Sequence, residues 1–153
     1  MSRTPLALLL LLLMGACAAT PPPLPPGARP DLGAEWVTPS GYRWPPADGF
    51  AAAPSHIVLP PGLTLDRFGG EGGRFFSPRG AAFRARALPT VCAELPYHVY
   101  RVTQPLLVRV GTAVPWFGEP GQATQVMTDA TVAQLLAQGA LERLPPEPPP
   151  CPR

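Results

Sequence analysis

The sequence YHVYRVTQPLLVRV, residues 97–110, decides which fold is expected. In its first six residues the side chains alternate, so that His98, Tyr100 and Val102 lie on one face of an extended strand and the intervening residues on the other. The next run, Leu106–Val110, is apolar, contains β-branched residues and stops at a glycine. Both runs therefore predict strands.

Other segments extend this pattern. Three have the composition of short strands bounded by glycine or proline: Leu63–Phe68, Arg74–Ser77 and Gln122–Met127. One amphipathic helix is expected, capped at its start by Thr128 or Asp129 and ended by Gly139. Because short strands dominate, the sequence predicts an α+β fold with a small mixed or antiparallel sheet and one or two short helices.

Composition limits the folded part to one domain. The chain has 153 residues, 46% of them hydrophobic, and 12 of its 25 prolines fall in two clusters, at residues 21–30 and 145–152. We expect a domain at residues 41–144, a stiff Pro-rich tether at residues 17–40 and a Pro-rich tail at residues 145–153. The formal charge of +2, carried entirely by arginine on the basic side, is too small for a nucleic-acid-binding protein.

The first residues have the features of a targeting segment. An arginine precedes an uncharged leucine run that is too short to span a bilayer, and small residues follow it. Residues 14–17, Met-Gly-Ala-Cys, resemble a bacterial lipobox. Residues 1–16 are therefore expected to be a signal peptide and Cys17 a lipidated residue, with an ordinary cleaved signal as the alternative. Either version predicts export, to the cell envelope or beyond, with the lipid anchor as the only membrane contact.

Export changes the interpretation of the two remaining cysteines. In an oxidising compartment Cys92 and Cys151 are expected to form a disulfide, and two free thiols are the alternative. The bridge would close a loop of about 60 residues and stabilise the fold by about 4 kcal/mol in the chain-entropy model. No metal site is expected, because these cysteines and the distant His56 and His98 lack zinc-ligand spacing.

Two stretches carry chemistry of interest. Residues 66–109 contain seven arginines against three acids, and the guanidinium group suits bidentate contact with phosphate or carboxylate; a GC-rich genome is the alternative explanation. Residues 115–125 join Trp116 and Phe117 to glycine, proline and amide residues, which would form either a wall for a flat ring or a core anchor. The sequence has no nucleophile elbow, P-loop or dinucleotide-binding glycine motif.

Five motifs occur in a recognisable order between residues 44 and 141. They are WPPADGF (44–50), LPPGLTLDRFG (59–69), FSPRGAAF (76–83) with RALP (86–89), YHVYRV (97–102), and PWFGEPG (115–121) with Thr124-Gln125. Together they resemble the tuberculosis necrotizing toxin (TNT) domain family.

The resemblance implies an NAD⁺ glycohydrolase that releases nicotinamide and ADP-ribose, with NADP⁺ as a second substrate and no cofactor. Nicotinamide leaves NAD⁺ as a neutral ring, so the scarcity of carboxylates is compatible with this reaction. A monomer is expected, with an immunity protein as a possible partner. A non-catalytic envelope module that binds a nucleotide and an ADP-ribosyltransferase are the alternatives.

The resemblance also implies roles for individual residues. Gln125, His98 and Arg67 match catalytic positions: the amide would hold the ribose or the attacking water, the imidazole would bond substrate or water, and the arginine would grip the pyrophosphate. The residues expected to bind substrate are Arg86, Phe68, Phe75, Trp116 and Phe117.

Two positions depart from the family pattern. Phe75 stands where the family can carry a tyrosine, so the ring is kept but the hydroxyl is absent, and turnover is expected to be slow if that hydroxyl contributes to it. Glu119 stands where the family prefers glutamine; we expect its carboxylate to face solvent, and a carboxylate near the nicotinamide ribose is the alternative.

Overall fold

The computed structural model describes residues 23–152, in which nine short strands and one α-helix, α1 (Val132–Ala137), are found. In chain order the strands are β1 (Val37–Thr38), β2 (Gly41–Tyr42), β3 (Ser55–Leu59), β4 (Thr64–Phe68), β5 (Phe75–Pro78), β6 (Tyr97–Val102), β7 (Leu106–Thr112), β8 (Thr124–Met127) and β9 (Leu141–Arg143). Four single 3₁₀ turns lie at Ala34–Trp36, Ala47–Gly49, Arg84–Arg86 and Cys92–Glu94. The helix has only six residues, and no helix in the described part is long and apolar enough to span a membrane.

Seven strands form one antiparallel sheet in the order β3-β7-β8-β5-β4-β6-β9, and β1 and β2 form a separate hairpin. The predicted α+β class is confirmed, and the sheet is antiparallel at every pairing in residues 23–152. Strand β6 has the predicted bounds, whereas β7 runs two residues further because β8 pairs with its last residues. Strands β3 and β9 were not predicted.

The register assigns side chains to the two faces of the sheet. One face packs against α1 and carries the main apolar core, which includes Leu65, Phe76, Tyr100 and Val126. Directly paired residues of an antiparallel sheet share a face, so Asp66 and its neighbours lie on the other face. That second face is covered by loops instead of a helix, and the loops leave room for a cleft.

The start of α1 corrects the prediction. Its N-cap is Thr131, which forms a capping box with Gln134, and not Thr128 or Asp129. The Thr128 hydroxyl is buried and instead donates to the carbonyl oxygens of Arg74 and Ala130. The predicted end is confirmed, since Gly139 has a φ of +67° just beyond the helix.

The segment before residue 41 is part of the fold, which corrects the expected tether. Leu32 and Val37 are buried against Phe117, and Ala28 forms a β-bridge with Thr90. The folded part therefore begins well before residue 41. The expected signal peptide and Cys17 lie outside the described residues.

Glu119 also departs from expectation, because it is only 8% exposed. It forms ion pairs with Arg29 and with Arg84, the latter at 2.8 Å. Arg29 in turn donates to the carbonyl oxygen of Phe117 at 2.7 Å. The carboxylate is thus the ionic link between the N-terminal segment and the turn that carries Phe117, which is why it does not face solvent.

The Pro-rich tail is fastened to the domain by covalent and polar contacts. Cys92 and Cys151 form a disulfide between residues separated by 59 positions. Ahead of it, Glu147 forms an ion pair with Arg79, and its carboxylate lies 3.5 Å from the Tyr97 hydroxyl oxygen. The tail therefore lies along the domain, although its composition suggested that it would not pack.

The disulfide gives a stability prediction. Replacing Cys92 and Cys151 together with serine should lower the free energy of unfolding by about 4 kcal/mol, because the unfolded chain gains the entropy of an open loop of about 60 residues. Urea denaturation measures this change. Dithiothreitol should destabilise the wild type by a similar amount and leave the double variant unaffected; equal stability of the two proteins without reductant would contradict the prediction.

The buried carboxylate of Glu119 gives a second stability prediction. Glu119→Ala should cost roughly 3 kcal/mol of stability, because it leaves the largely buried Arg29 without its main counter-charge. Glu142→Ala, which removes the carboxylate of the exposed pair with Arg101, is the matched control and should cost about 1 kcal/mol or less. Equal losses in thermal or urea denaturation would show that Glu119 is not the link described above.

Candidate functional site

A cleft of about 630 Å³ opens on the face of the sheet that α1 does not cover. Its floor includes Phe68, Ser77 and Gln125 from three strands, and its walls come from the loops at residues 42–49, 86–90 and 113–116. Most of the lining is apolar, with a few polar side chains among the aromatic ones. Volume and lining are typical of a small-molecule site.

Six of the eight expected site residues line this cleft. They are Arg67, Phe68, Phe75, Arg86, Trp116 and Gln125. The structure brings them together although they span almost sixty positions of the chain. Phe117 and His98 lie elsewhere.

Phe117 belongs to the core, which corrects its expected role in binding substrate. It is 1% exposed and is packed edge-on by Trp36, Tyr42 and Trp44. Its φ of +54° turns the chain so that Trp116, rather than Phe117, contributes to the cleft. The two aromatic residues thus divide the roles of wall and anchor that the sequence left open.

His98 is separated from the cleft by the sheet itself. It is not among the residues that line the cleft, and its ring lies on the helix-covered face, 6.1 Å from that of Tyr100. Phe68, at an alternate position of β4, faces the cleft from the other side of the sheet. The structure therefore does not place the imidazole where it would touch a ligand in the cleft.

Arg67 leaves β4 on the same face as its register partner His98 but, unlike His98, it is among the residues that line the cleft, near the end of the strand. Its Nε and Nη1 atoms donate to the carbonyl oxygens of Gly70 and Phe75, both at 2.9 Å. These bonds use two of the five N–H groups of the guanidinium and leave three. No carboxylate of residues 23–152 pairs with it, and burial lowers the pKa of Arg67. The result is a partly buried cation with donors to spare and no counter-charge.

A glycine makes room for this guanidinium. A Cβ atom placed on Gly73 would overlap the end of the Arg67 side chain, whereas one placed on Gly72 would meet nothing within 4 Å. The loop is anchored to the start of α1, since Val132 donates its backbone N–H to the Gly73 carbonyl oxygen at 3.0 Å. The glycine-rich loop therefore serves as a seat for Arg67.

Arg86 differs from Arg67 because its charge is neutralised within the protein. Its Nη1 lies 2.6 Å from Oδ1 of Asp66, and its Nε and Nη2 donate to the carbonyl oxygen of Ala81. The guanidinium carbon stands 4.9 Å from the centre of the Phe68 ring. Arg86 thus stiffens the cleft wall and has two N–H groups left for a ligand.

Asp66 is the hub of this wall and is 0% exposed. Besides Arg86, its carboxylate accepts hydrogen bonds from the Gly80 backbone N–H and the Tyr97 hydroxyl, both at 2.7 Å. Burial, together with this bond, raises the pKa of Tyr97, so the hydroxyl stays protonated and donating. Both hydrogen bonds end on Oδ2, whereas the buried Oδ1 forms the ion pair with Arg86 and has no hydrogen-bond partner in residues 23–152.

Gln125 is held at the other end of the cleft by a residue to which the sequence assigned no role. Its Nε2 donates to the backbone carbonyl oxygen of Asp48 at 2.9 Å. The Asp48 carboxylate in turn lies 2.9 Å from Nη1 of Arg109. Asp48 stands in the motif at residues 44–50, and its Asp-Gly pair is the one local signal that marked a special turn.

Aromatic and polar groups complete the lining. Trp44 and Phe75 are 58% and 36% exposed, an unusual state for large rings, and both border the cleft. The Tyr42 hydroxyl and Thr90 Oγ1 are buried without a hydrogen-bond partner in residues 23–152, and both residues line the cleft. Such groups are satisfied when a ligand brings polar atoms to them.

Metal ligands do not cluster in the described part of the chain: no group of three or more His, Cys, Asp or Glu side chains is placed to hold an ion. What the cleft offers is cationic and amide hydrogen-bond donors, aromatic rings and few acids. This combination suits an anionic ligand that also carries flat rings.

Comparison with known proteins agrees with this geometry. The family model of the tuberculosis necrotizing toxin matches residues 58–144, more than half of the chain. The chain belongs to the TNT family. Within this family, the matched residues contain β4–β9 and every expected site residue.

Two relatives are informative. The conidial surface nicotinamide adenine dinucleotide glycohydrolase nadA of Aspergillus fumigatus is 41% identical over 128 residues, which is 74% of this chain and 55% of that protein. The structure of tuberculosis necrotizing toxin, solved with its immunity factor IFT, matches with a TM-score of 0.57 and 27% identity over 69% of this chain and 65% of that one. The chain thus spans little more than half the length of its fungal relative.

The seat of Arg67 can be tested by filling it. Gly73→Ala should displace the guanidinium from the carbonyl oxygens of Gly70 and Phe75, while the fold is kept because Gly73 does not need a positive φ. The Nε–H resonance of Arg67 in an NMR spectrum reports the change. Gly72→Ala, in the same loop but with open space around it, should leave that resonance where it is. An unmoved resonance in both variants would mean that Gly73 is not the seat.

Proposed function

We propose that this protein hydrolyses NAD⁺ to nicotinamide and ADP-ribose, with NADP⁺ as a second substrate. The observation that carries the proposal is Arg67, a partly buried cation that lines an apolar cleft and lacks a carboxylate partner among the described residues. Buried charges in proteins are normally paired, so such a cation is expected to pair with an anionic ligand. The pyrophosphate of a dinucleotide supplies that charge.

The donors of the cleft fit a pyrophosphate. Arg67 has three free N–H groups, and its orientation is fixed by the carbonyl oxygens of Gly70 and Phe75. A guanidinium held in this way loses little entropy when it binds two phosphate oxygens at once. Arg86, which lines the same cleft, adds two further N–H groups with its charge already balanced by Asp66.

The carboxylates of the region also suit the reaction. Asp66 is fully buried and paired, and Asp48 is paired with Arg109, so neither is placed as an acid that protonates a leaving group. NAD⁺ needs no such acid, because its nicotinamide is cationic before cleavage. As the bond between C1′ and the ring nitrogen breaks, the electron pair stays with the nitrogen, water adds to C1′, and the water proton passes to solvent.

Gln125 is the polar group that we assign to the ribose or the attacking water. Its amide nitrogen is occupied by the Asp48 carbonyl oxygen, which leaves the amide oxygen as an acceptor. An acceptor near C1′ can hold a ribose hydroxyl or orient the water. The exposed rings of Trp44 and Phe75 would then pack against the flat ends of the dinucleotide.

Two further proposals concern where the protein acts and which protein binds it. The fungal relative is named for the conidial surface, and with the expected leader this supports export of the present protein. The related toxin was solved with an immunity factor, which supports a protein partner that protects the producing cell. The activity itself is consistent with the name of the fungal relative.

A nucleotide-binding module without turnover is the second candidate, and Phe75 favours it. This residue borders the cleft without the hydroxyl of the tyrosine that the family can carry at this position. If the hydroxyl is needed for turnover, the protein would bind NAD⁺ without cleaving it. Calorimetric binding of NAD⁺ without nicotinamide release would support this second candidate.

Nicotinamide release from NAD⁺ tests the main proposal. The purified protein should release nicotinamide, and Gln125→Ala should lower kcat by about 100-fold because the acceptor beside the ribose is lost. Gln104→Ala is the matched control, since the Gln104 amide also donates to a backbone carbonyl oxygen, that of Gly139 at 3.1 Å, on a part of the surface outside the cleft. It should leave kcat unchanged.

Chromatography of the products identifies nicotinamide and ADP-ribose. Absence of nicotinamide release at micromolar protein would overturn the proposal, and so would equal rates for the wild type and Gln125→Ala.

A further inference from the structure

Three successive residues beside the cleft have left-handed backbone conformations. The φ angles of Ala47, Asp48 and Gly49 are +52°, +53° and +77°. Only glycine adopts such angles without cost, and two of these residues are not glycine. Strain of this kind persists only where the surrounding structure enforces it, and it concentrates at functional sites.

Contacts on both sides of the turn hold it in place. The ring of Phe50 packs so closely on Gly111 that a Cβ there would lie 2.8 Å from it, and Phe50 also forms a β-bridge with Ala113. The Gly49 carbonyl oxygen accepts from the Val114 backbone N–H at 2.9 Å. The turn is therefore fastened to the strand pair that carries Gln125, whose direct partner across that pair is Gly111.

Arg109 fastens the middle of the turn. Its Nη1 lies 2.9 Å from Oδ2 of Asp48, and its Nη2 lies 3.9 Å from Oδ1 of the exposed Asp129. Because Arg109 lies on strand β7, this contact holds the Asp48 side chain against the strand pair. The carboxylate is thereby engaged on the protein.

The outcome of this arrangement is the orientation of one amide. The Asp48 carbonyl oxygen can only accept a hydrogen bond, so the Gln125 group that faces it at 2.9 Å must be the nitrogen. Rotation of the amide by half a turn would bring two acceptors together and is excluded. None of the side-chain hydrogen bonds in residues 23–152 ends on Oε1 of Gln125, so that oxygen is left free for a ligand.

We propose that Asp48 is a positioning residue for the reaction: its left-handed backbone presents a carbonyl oxygen that orients the Gln125 amide, with Oε1 directed to the ribose hydroxyl or the attacking water. The Asp48 carboxylate serves to fasten the turn to Arg109 and does not touch the substrate. This inference rests on the proposed NAD⁺ glycohydrolase function and specifies how its amide is set.

The alternative use of Asp48 is electrostatic. A carboxylate that borders the cleft would be able to stabilise the positive charge that develops on the ribose, and it would do so directly. The two uses differ in what asparagine at this position does. Asparagine keeps the tolerance for a left-handed backbone and can accept from Arg109, but it carries no charge.

The test measures kcat and KM for nicotinamide release with Asp48→Ala, Asp48→Asn and Gln125→Ala. Asp48→Ala loses the anchor to Arg109 and disfavours the positive φ, so we expect kcat to fall by about tenfold or more, with KM changed less than about twofold. Asp48→Asn should recover kcat to within about threefold of the wild type. Asp129→Asn, which removes a carboxylate from the other side of Arg109, is the matched control and should leave both constants unchanged.

Coupling between the two residues decides the inference. In the Gln125→Ala background, Asp48→Ala should lower kcat by less than about twofold, because the amide it positions is gone. Independent, multiplicative effects would overturn the inference, and so would Asp48→Asn as slow as Asp48→Ala, which would assign a direct role to the charge. A wild type that turns over while these tests fail leaves the proposed function standing; a wild type without turnover overturns both. Circular dichroism melting curves confirm that each variant is folded.

Discussion

The buried ion pair between Asp66 and Arg86 is the interaction on which the cleft depends. Asp66 lies in the middle of β4 with no exposure to solvent, and it gathers Arg86, the Gly80 backbone and the Tyr97 hydroxyl around one carboxylate. A buried pair of this kind gives little net stability. Loss of either partner is nevertheless costly, because it leaves the other charge buried and unpaired. It therefore fixes the loop at residues 80–90 against the sheet and makes that loop a rigid wall.

The contrast between two arginines follows from this pair. Arg86 is the cation that the protein neutralises itself, whereas Arg67, seated in the glycine loop, is the cation for which the described residues provide carbonyl oxygens but no counter-charge. Desolvation of an unpaired guanidinium costs free energy because it disfavours the charged form. For the same reason, burial lowers the pKa of Arg67. Binding of an anion would recover that cost, which is the physical basis of the phosphate-binding role proposed for Arg67.

The sequence predicted those features that depend on local pattern. Alternation marked β6 and β4, an apolar run marked most of β7, and bounding glycine or proline marked much of β5 and β8. Gly139 marked the end of the helix, and each of these signals lies in a few consecutive residues. The features that the sequence analysis predicted wrongly depend on tertiary contacts. Pro-rich composition hid the packing of Leu32 and Val37, and the pairing of β4 with β6, which places His98 across the sheet from the cleft, is invisible without the register.

The need for tertiary information also explains why the sequence analysis assigned no role to Asp48. A strained turn is unfavourable in isolation, so local sequence propensities do not predict it. The turn at Asp48 is maintained because Phe50 packs against Gly111 and Arg109 pairs with the Asp48 carboxylate. A domain of this size has few residues to spare for such enforcement. The disulfide and the ionic link of Glu119 to the N-terminal segment therefore lie away from the cleft, where they add stability without occupying positions that the ligand needs.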